Sequence, residues 1–182
     1  MSASATVPEG YKQTEVGVIP EDWEVKFLLD VVEISKGQVD PKKYPYCDMI
    51  LVAPEHVEKH SGRLLKKITA TEMGAISGKY RVNKGDIVYG KINPHFAKAI
   101  FADYDGLCSA DMYPIKSKNV VDNKFVFYWI LGEKFTRFAT SVSARSGIPK
   151  INREEMRGAL IVYPSSKTEQ VAIAEILGDN TL

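Results

Sequence analysis

Apolar and polar positions alternate most clearly between Gly85 and Ile115, in the run GDIVYGKINPHFAKAIFADYDGLCSADMYPI. Asp86 to Tyr89 is a β-rich stretch entered through the turn cluster Asn83-Lys84-Gly85, and it predicts a strand. Asn93-Pro94-His95 breaks the chain, and Lys98 to Phe101 resumes it as a second strand. Asp103-Tyr104-Asp105-Gly106 turns it again before Met112 to Ile115, a further strand. From Asp122 the period lengthens. Phe125, Tyr128, Trp129, Leu131, Phe135 and Phe138 recur at helical spacing to about Val142, with Gly132 placed to divide the segment into two helices. Aromatics in a helical stripe are read as core.

The flanks are shorter and more broken. Residues 1–20 carry Pro8, Gly10, Gly17 and Pro20 without sustained periodicity and predict an extended N-terminal arm. Pro20-Glu21-Asp22-Trp23 leads into a strand at Glu24-Val25-Lys26 and a short helix from Phe27 to Val32, with Trp23 as a core anchor. Glu33 to Lys36 reads as a strand ending at Gly37, and Met49 to Ala53 as another. Pro54 suits a first helical turn, so Glu55 to Lys59 predicts a short helix stopped at Ser61-Gly62. Leu64 to Thr71 fits neither period. Asn152 can cap a turn at Arg153-Glu154-Glu155, and Ala159 to Tyr163 is a closing strand. Thr168 then caps a helix from Glu169 to Leu177, with an apolar stripe at Val171, Ile173, Ala174 and Leu177. The pattern predicts a mixed α+β fold with short, largely antiparallel strands. It divides into an arm (1–20), one globular domain (21–165) and the start of a further helix (166–182).

Composition sets bounds. At 182 residues the chain can bury a real core, and 45% hydrophobic with 26% charged residues is ordinary for a globular protein. No apolar run reaches the roughly 20 residues that span a bilayer. The opening MSASATVPEG lacks a signal-peptide pattern, and two cysteines do not make a disulfide framework, so a cytoplasmic setting is expected. The net charge of +1 conceals an uneven distribution. Residues 1–35 hold 2 basic and 7 acidic side chains, residues 36–98 hold 12 and 6, and residues 134–167 hold 7 and 2. Two basic segments converging on one face would suit a polyanion, whereas dispersed they would be solvated surface.

Catalytic chemistry finds little support. His56 and His60 share a helical face, but Val57 stands where a zinc protease has glutamate, and no third ligand is evident. Asn93-Pro94-His95-Phe96 partly resembles the Asn-Pro-Pro-Tyr/Phe motif of amino-methyltransferases, with His95 in place of the second proline. No glycine-rich cofactor loop follows a strand. Cys108 has no evident triad partners. The loops carry polar and cationic side chains instead, which suits reading over reaction.

Several short motifs, in order along nearly the whole chain, resemble the type I restriction–modification specificity (S) subunit. They are Val18-Ile19-Pro20-Glu21-Asp22-Trp23-Glu24-Val25, Gly85-Asp86-Ile87-Val88, Ser109-Ala110-Asp111 with Met112-Tyr113-Pro114-Ile115, and Ser146-Gly147-Ile148-Pro149-Lys150-Ile151-Asn152. The last is Val162-Tyr163-Pro164 with Glu169-Gln170 and Ile173-Ala174-Glu175-Ile176-Leu177. The resemblance implies one target recognition domain reading half of a split double-stranded DNA target, non-catalytic by itself. It also implies modification (methyltransferase) and restriction subunits as partners, and S-adenosylmethionine, Mg2+ and ATP only on those partners. A second copy of the chain is a further candidate partner. The alternatives are a protein-interaction module and a free-standing methyltransferase or nuclease. Lys36, Lys42, Lys43, Arg145 and Lys150, with Ser146 and Gly147, are expected along phosphates. Lys91, Asn93 and His95 are expected at base edges. Val171, Ile173, Ala174 and Leu177 are expected at a partner.

Overall fold

In a computed structural model that describes residues 6–144 and 147–179, the Gly85–Ile115 run supplies the middle of the molecule. The strands are β1 (Tyr11–Thr14), β2 (Gly17–Pro20), β3 (Trp23–Phe27), β4 (Val32–Ile34), β5 (Leu51–Val52), β6 (Tyr80–Val82) and β7 (Ile87–Gly90). They continue with β8 (Ala99–Phe101), β9 (Gly106–Cys108), β10 (Met112–Ser117) and β11 (Leu160–Pro164). The helices are α1 (Leu28–Val31), α2 (Asn123–Leu131), α3 (Glu133–Ser143) and α4 (Lys167–Asp179).

The principal sheet runs β4-β10-β7-β8 and is antiparallel throughout. All four residues of β7 are buried. Ile87 and Tyr89 face the larger core with Ile115 and Tyr113, while Val88 faces a second cluster with Met112 and Ile100. Period-2 alternation thus feeds two cores at once. Over the first face lie α2 and α3, whose Phe125, Phe127, Ile130 and Phe135 complete the larger core, with Tyr89 and Phe135 edge to face at 5.4 Å. Over the second face lies the small sheet β5-β9-β6, in which β5 runs parallel to β9 and β6 antiparallel. The helical aromatics are core, and Gly132 separates α2 from α3 as expected.

Local chemistry explains the other boundaries. Asp122 caps α2 by accepting from Phe125 N at 2.9 Å. Asn152 and Glu155 form a reciprocal cap: Glu155 N donates to Asn152 Oδ1 at 2.8 Å, and Asn152 N to Glu155 Oε2 at 2.7 Å. Four expectations are corrected. Residues 11–20 are a hairpin, β1–β2, and not an extended arm, because Thr14 Oγ1 donates to Gly17 O at 2.7 Å and accepts from Val16 N, closing a turn with no glycine pair. Pro54–His56 is a single 3-10 turn where a helix to Lys59 was expected; His56 Nδ1 accepts from Ala53 N and Val57 returns to extended backbone. The α4 helix starts at Lys167, after Ser166, whose Oγ accepts from Glu169 N at 3.4 Å, two residues earlier than a Thr168 cap. Trp23 is half-buried on β3, not enclosed in the core.

The Pro-Glu-Asp-Trp and Glu-Gln motifs meet here. The pair β11–β3 is antiparallel with Pro164 opposite Trp23, Trp23 Nε1 donates to Glu169 Oε1 at 3.3 Å, and Ser165 Oγ donates to Asp22 O at 2.5 Å. Gln170 is fully buried and uses both ends of its amide: Oε1 accepts from Asp122 N and Nε2 donates to Pro164 O, each at 2.7 Å. That amide ties the start of α4 to the start of α2. Replacing Gln170→Leu leaves a buried N–H and a C=O without partners, at about 2–5 kcal/mol together. Thermal unfolding of this variant should fall by roughly 5–15 °C for a domain of this size. A Tm within about 2 °C of wild type would show that the amide is not what holds α4.

Candidate nucleic-acid interface

Antiparallel order fixes which loops are neighbours. In β4-β10-β7-β8 the segment after β4, the segment before β10, the segment after β7 and the segment before β8 all emerge at one end of the sheet. The small sheet brings its own loops to the same end, since β9 leads through Ser109–Asp111 into β10 and Tyr80 of β6 pairs with Cys108. The 36–46 loop, the 73–79 loop, Ser109–Asp111 and the 91–98 loop therefore share one rim. Hydrogen bonds sew them together: the backbones of Val39 and Lys79 bridge, Lys91 N donates to Asp111 O at 3.0 Å, and the Lys98 side chain donates from Nζ to Pro54 O at 2.6 Å.

The segment after α3 joins the same rim. Asn93 N donates to Pro149 O at 2.8 Å, Ile151 N donates to Lys91 O at 3.0 Å, and Ile92 bridges Lys150. Gly147 and Lys150 thus lie beside Lys91 and Asn93, although more than fifty positions separate them in sequence. Arg145 and Ser146 fall outside the described residues. Arg153 fastens the far side, with Nη1 donating to Ile34 O at 3.1 Å and Nη2 to Ser35 O at 2.6 Å. Its guanidinium also stacks 4.9 Å from the Tyr113 ring.

Individual side chains differ in readiness. Lys36, Lys42 and Lys43 are exposed on the 36–46 loop, with Lys42 N held by Asp40 Oδ1 at 3.0 Å. Lys36 also borders a cleft of about 630 Å³ with Lys118, Arg153 and Arg157. Lys91 is half-buried; its ammonium donates to Ala110 O at 2.6 Å and sits 5.3 Å from the Tyr113 ring, so it braces the loop as well as charging it. His95 is exposed at the tip of the 3-10 turn Pro94–Phe96, its ring 4.1 Å from that of Phe96. Lys59 Nζ lies 3.5 Å from the centre of the Phe96 ring.

This turn is strained. Asn93 (φ 49) and Ala97 (φ 43) flank it in the left-handed region, and His60 (φ 60) donates its N–H to Phe96 O at 3.1 Å. Asparagine tolerates that region, whereas for alanine it costs about 1–2 kcal/mol. Strain concentrated at an exposed turn fixes the direction in which His95 points.

Sequence reasoning passed over Lys79. It is 9% exposed at the rim, donates to Ser77 O at 2.6 Å and Ser77 Oγ at 2.9 Å, and borders a recess of about 350 Å³ with Ser109, Asp111 and Ile92. Burial pushes its ammonium pKa down, and the carboxylate of Asp111 opposes that shift. Nothing in the run Ser77-Gly78-Lys79-Tyr80 marks it, because the pairing that buries it is with Val39. The α4 stripe divides: Ala174 (3% exposed) and Ile173 pack into the domain core, while Val171 and Leu177 are 40% and 43% exposed. Among the described residues no three His, Cys, Asp or Glu side chains gather as metal ligands, and no helix is long and apolar enough to cross a membrane.

A rim of cationic and hydrogen-bonding loops on a rigid sheet has the chemistry to meet a polyanion. The type I restriction modification DNA specificity domain family matches residues 20–180. The chain belongs to that family. Within it, the chain is 36% identical over 146 residues to the type I restriction enzyme EcoDI specificity subunit of Escherichia coli, covering 80% of this chain and 32% of that protein. It is 28% identical over 185 residues to the putative type I restriction enzyme MjaX specificity subunit of Methanocaldococcus jannaschii, covering 94% and 42%. The same fold occurs in the HsdS subunit of Thermoanaerobacter tengcongensis, with a TM-score of 0.72 at 20% identity over 88% of this chain and 42% of that one. This family member thus spans about a third to two fifths of the relatives it matches.

The strained turn yields a stability test. Ala97 is 1% exposed, so Ala97→Gly loses about 0.8 kcal/mol of methyl burial but removes the left-handed penalty. Its unfolding free energy should stay within about 1 kcal/mol of wild type, whereas Ala97→Val should lose about 2–4 kcal/mol through crowding and a β-branched residue at positive φ. Equal losses from both substitutions in denaturant titrations would remove the strain argument.

Proposed function

We propose that this chain binds double-stranded DNA through the loop rim and reads one half of a split target for a type I restriction–modification complex. The observation that carries the reading is the convergence of the 36–46, 73–79, 91–98 and 147–150 segments at one end of the sheet, in a DNA specificity domain. Lys36, Lys42 and Lys43 of one basic stretch and Lys150 of the other are thereby brought to the same end of the sheet. Lys36, Lys42, Lys43 and Lys150 meet phosphates, which hold register without selecting sequence, and Asn93 and His95 meet base edges.

The chemistry belongs to partners. Modification subunits supply S-adenosylmethionine and methyl transfer, and restriction subunits supply ATP- and Mg2+-dependent cutting. Exposed Val171 and Leu177 on α4, and the helix itself, lead toward those partners or toward a second recognition half. A split target needs two recognition halves at a fixed separation, and α4 leads toward such a second half, either a second copy of the chain or another part of a longer specificity subunit.

Titrations with random duplex at several salt concentrations test the reading. Binding by the chain should be weak and strongly salt-dependent, and Lys36→Ala with Lys43→Ala should flatten the slope of log K against log salt by about two units. Duplexes of different sequence should weaken alike. A loss confined to one sequence would make those lysines base readers, and binding insensitive to salt would contradict the interface.

His95→Ala should behave differently. The salt slope should stay unchanged while preference among duplexes shifts by about 1–3 kcal/mol at one position. A uniform loss across sequences would assign His95 to the backbone instead.

A further inference from the structure

Among the described residues, the large apolar side chains with the greatest exposure are Tyr44 (83%), Ile76 (77%) and Ile148 (69%). All three sit on the loops of the rim. Ile76 stands between Ala75, which lines the recess beside Ile92 and Asp111, and the Ser77 group that holds Lys79. Ile148 adjoins Pro149, whose carbonyl takes the Asn93 N–H. Elsewhere Ile176 (61%), Leu65 (56%) and Phe27 (51%) are exposed too, but Ile76 and Ile148 are more so and lie on the loops that share an end of the sheet with Lys36, Lys42, Lys43 and Lys150, where an occupant with apolar points of its own would cover them. Charge complementarity with the surrounding lysines selects a polyanion. In the major groove of DNA the only apolar group on a base edge is the C5-methyl of thymine.

We infer that Ile76 and Ile148 read thymine methyl groups in the major groove, so that the half-target carries A·T pairs at the two positions they reach. The inference rests on the DNA-binding reading and gives it content: lysines place the duplex, His95 and Asn93 sample hydrogen-bonding edges, and the two isoleucines score methyls. The side chains are rigid at χ1 and lose little freedom on contact. Burying one methyl against each corresponds to a roughly three- to five-fold change in affinity.

The test uses the full chain and a duplex selected from a random pool at low salt. Each thymine in the selected half-site is replaced in turn by deoxyuridine, which removes the methyl and leaves base pairing intact. Wild type should lose about three- to five-fold at two positions. Ile76→Ala should abolish the effect at one of them and Ile148→Ala at the other, with Tm unchanged because both side chains are exposed. Selective binding that is indifferent to deoxyuridine at every position, or a deoxyuridine effect that both variants retain, overturns the inference and leaves DNA binding standing. Variants that bind every duplex normally but no longer associate with modification subunits would reassign the isoleucines to a protein partner and overturn it as well. Absence of duplex binding by wild type would remove the underlying reading, and the inference with it.

Discussion

Strand β10 is hydrogen-bonded to β4 on one side and β7 on the other, and those two antiparallel registers bring the segments after β4, before β10 and after β7 to one end of the sheet. Ile115 lies opposite both Ile34 and Ile87, and Met112 lies opposite Gly90. A shift of one residue would turn Tyr113 and Ile115 out of the larger core and Met112 out of the smaller one. Because both faces are buried, the register is held from two sides. The rim is therefore the end of a sheet that cannot slide, and loops fastened to it inherit its rigidity.

That rigidity is extended by polar clasps at the edge of the cores. Arg153 spans the carbonyls of Ile34 and Ser35, Lys91 reaches Ala110 O, and Lys98 reaches Pro54 O. These cations neutralise backbone acceptors at loop bases, while Lys36, Lys42 and Lys43 stand further out in solvent. The division of labour between bracing and presenting cations explains how a chain with a net charge of only +1 builds a cationic working face. Seven of the 23 acidic residues lie in residues 1–35, away from the rim.

Much of the architecture was legible where periodicity was strong. The strands between Gly85 and Ile115 and the aromatic helices after Asp122 announced themselves through spacing, and Asn152 and Asp122 cap where their side-chain chemistry suggests. The N-terminal hairpin was not legible, since Thr14 closes its turn with a side-chain hydroxyl in place of a glycine pair. Lys79 and the clasp by Arg153 were hidden for a different reason: each depends on a partner more than thirty positions away, and no local pattern encodes that pairing. The family motifs were visible as strings, but their physical sense came only with the fold. Trp23 and Glu169, and Gln170 with Asp122 and Pro164, are one joint between the β3–β11 pair and the last helix.

The central claim is that one end of the sheet, and no other surface, meets the duplex. Amide hydrogen exchange of the full chain, with and without saturating duplex DNA at low salt, addresses it most directly. Protection should rise in residues 36–46, 73–79, 91–98, 109–111 and 147–151, and stay unchanged in the β1–β2 hairpin and along α4. Protection centred on α4 and the hairpin, with the rim unaffected, would contradict the account.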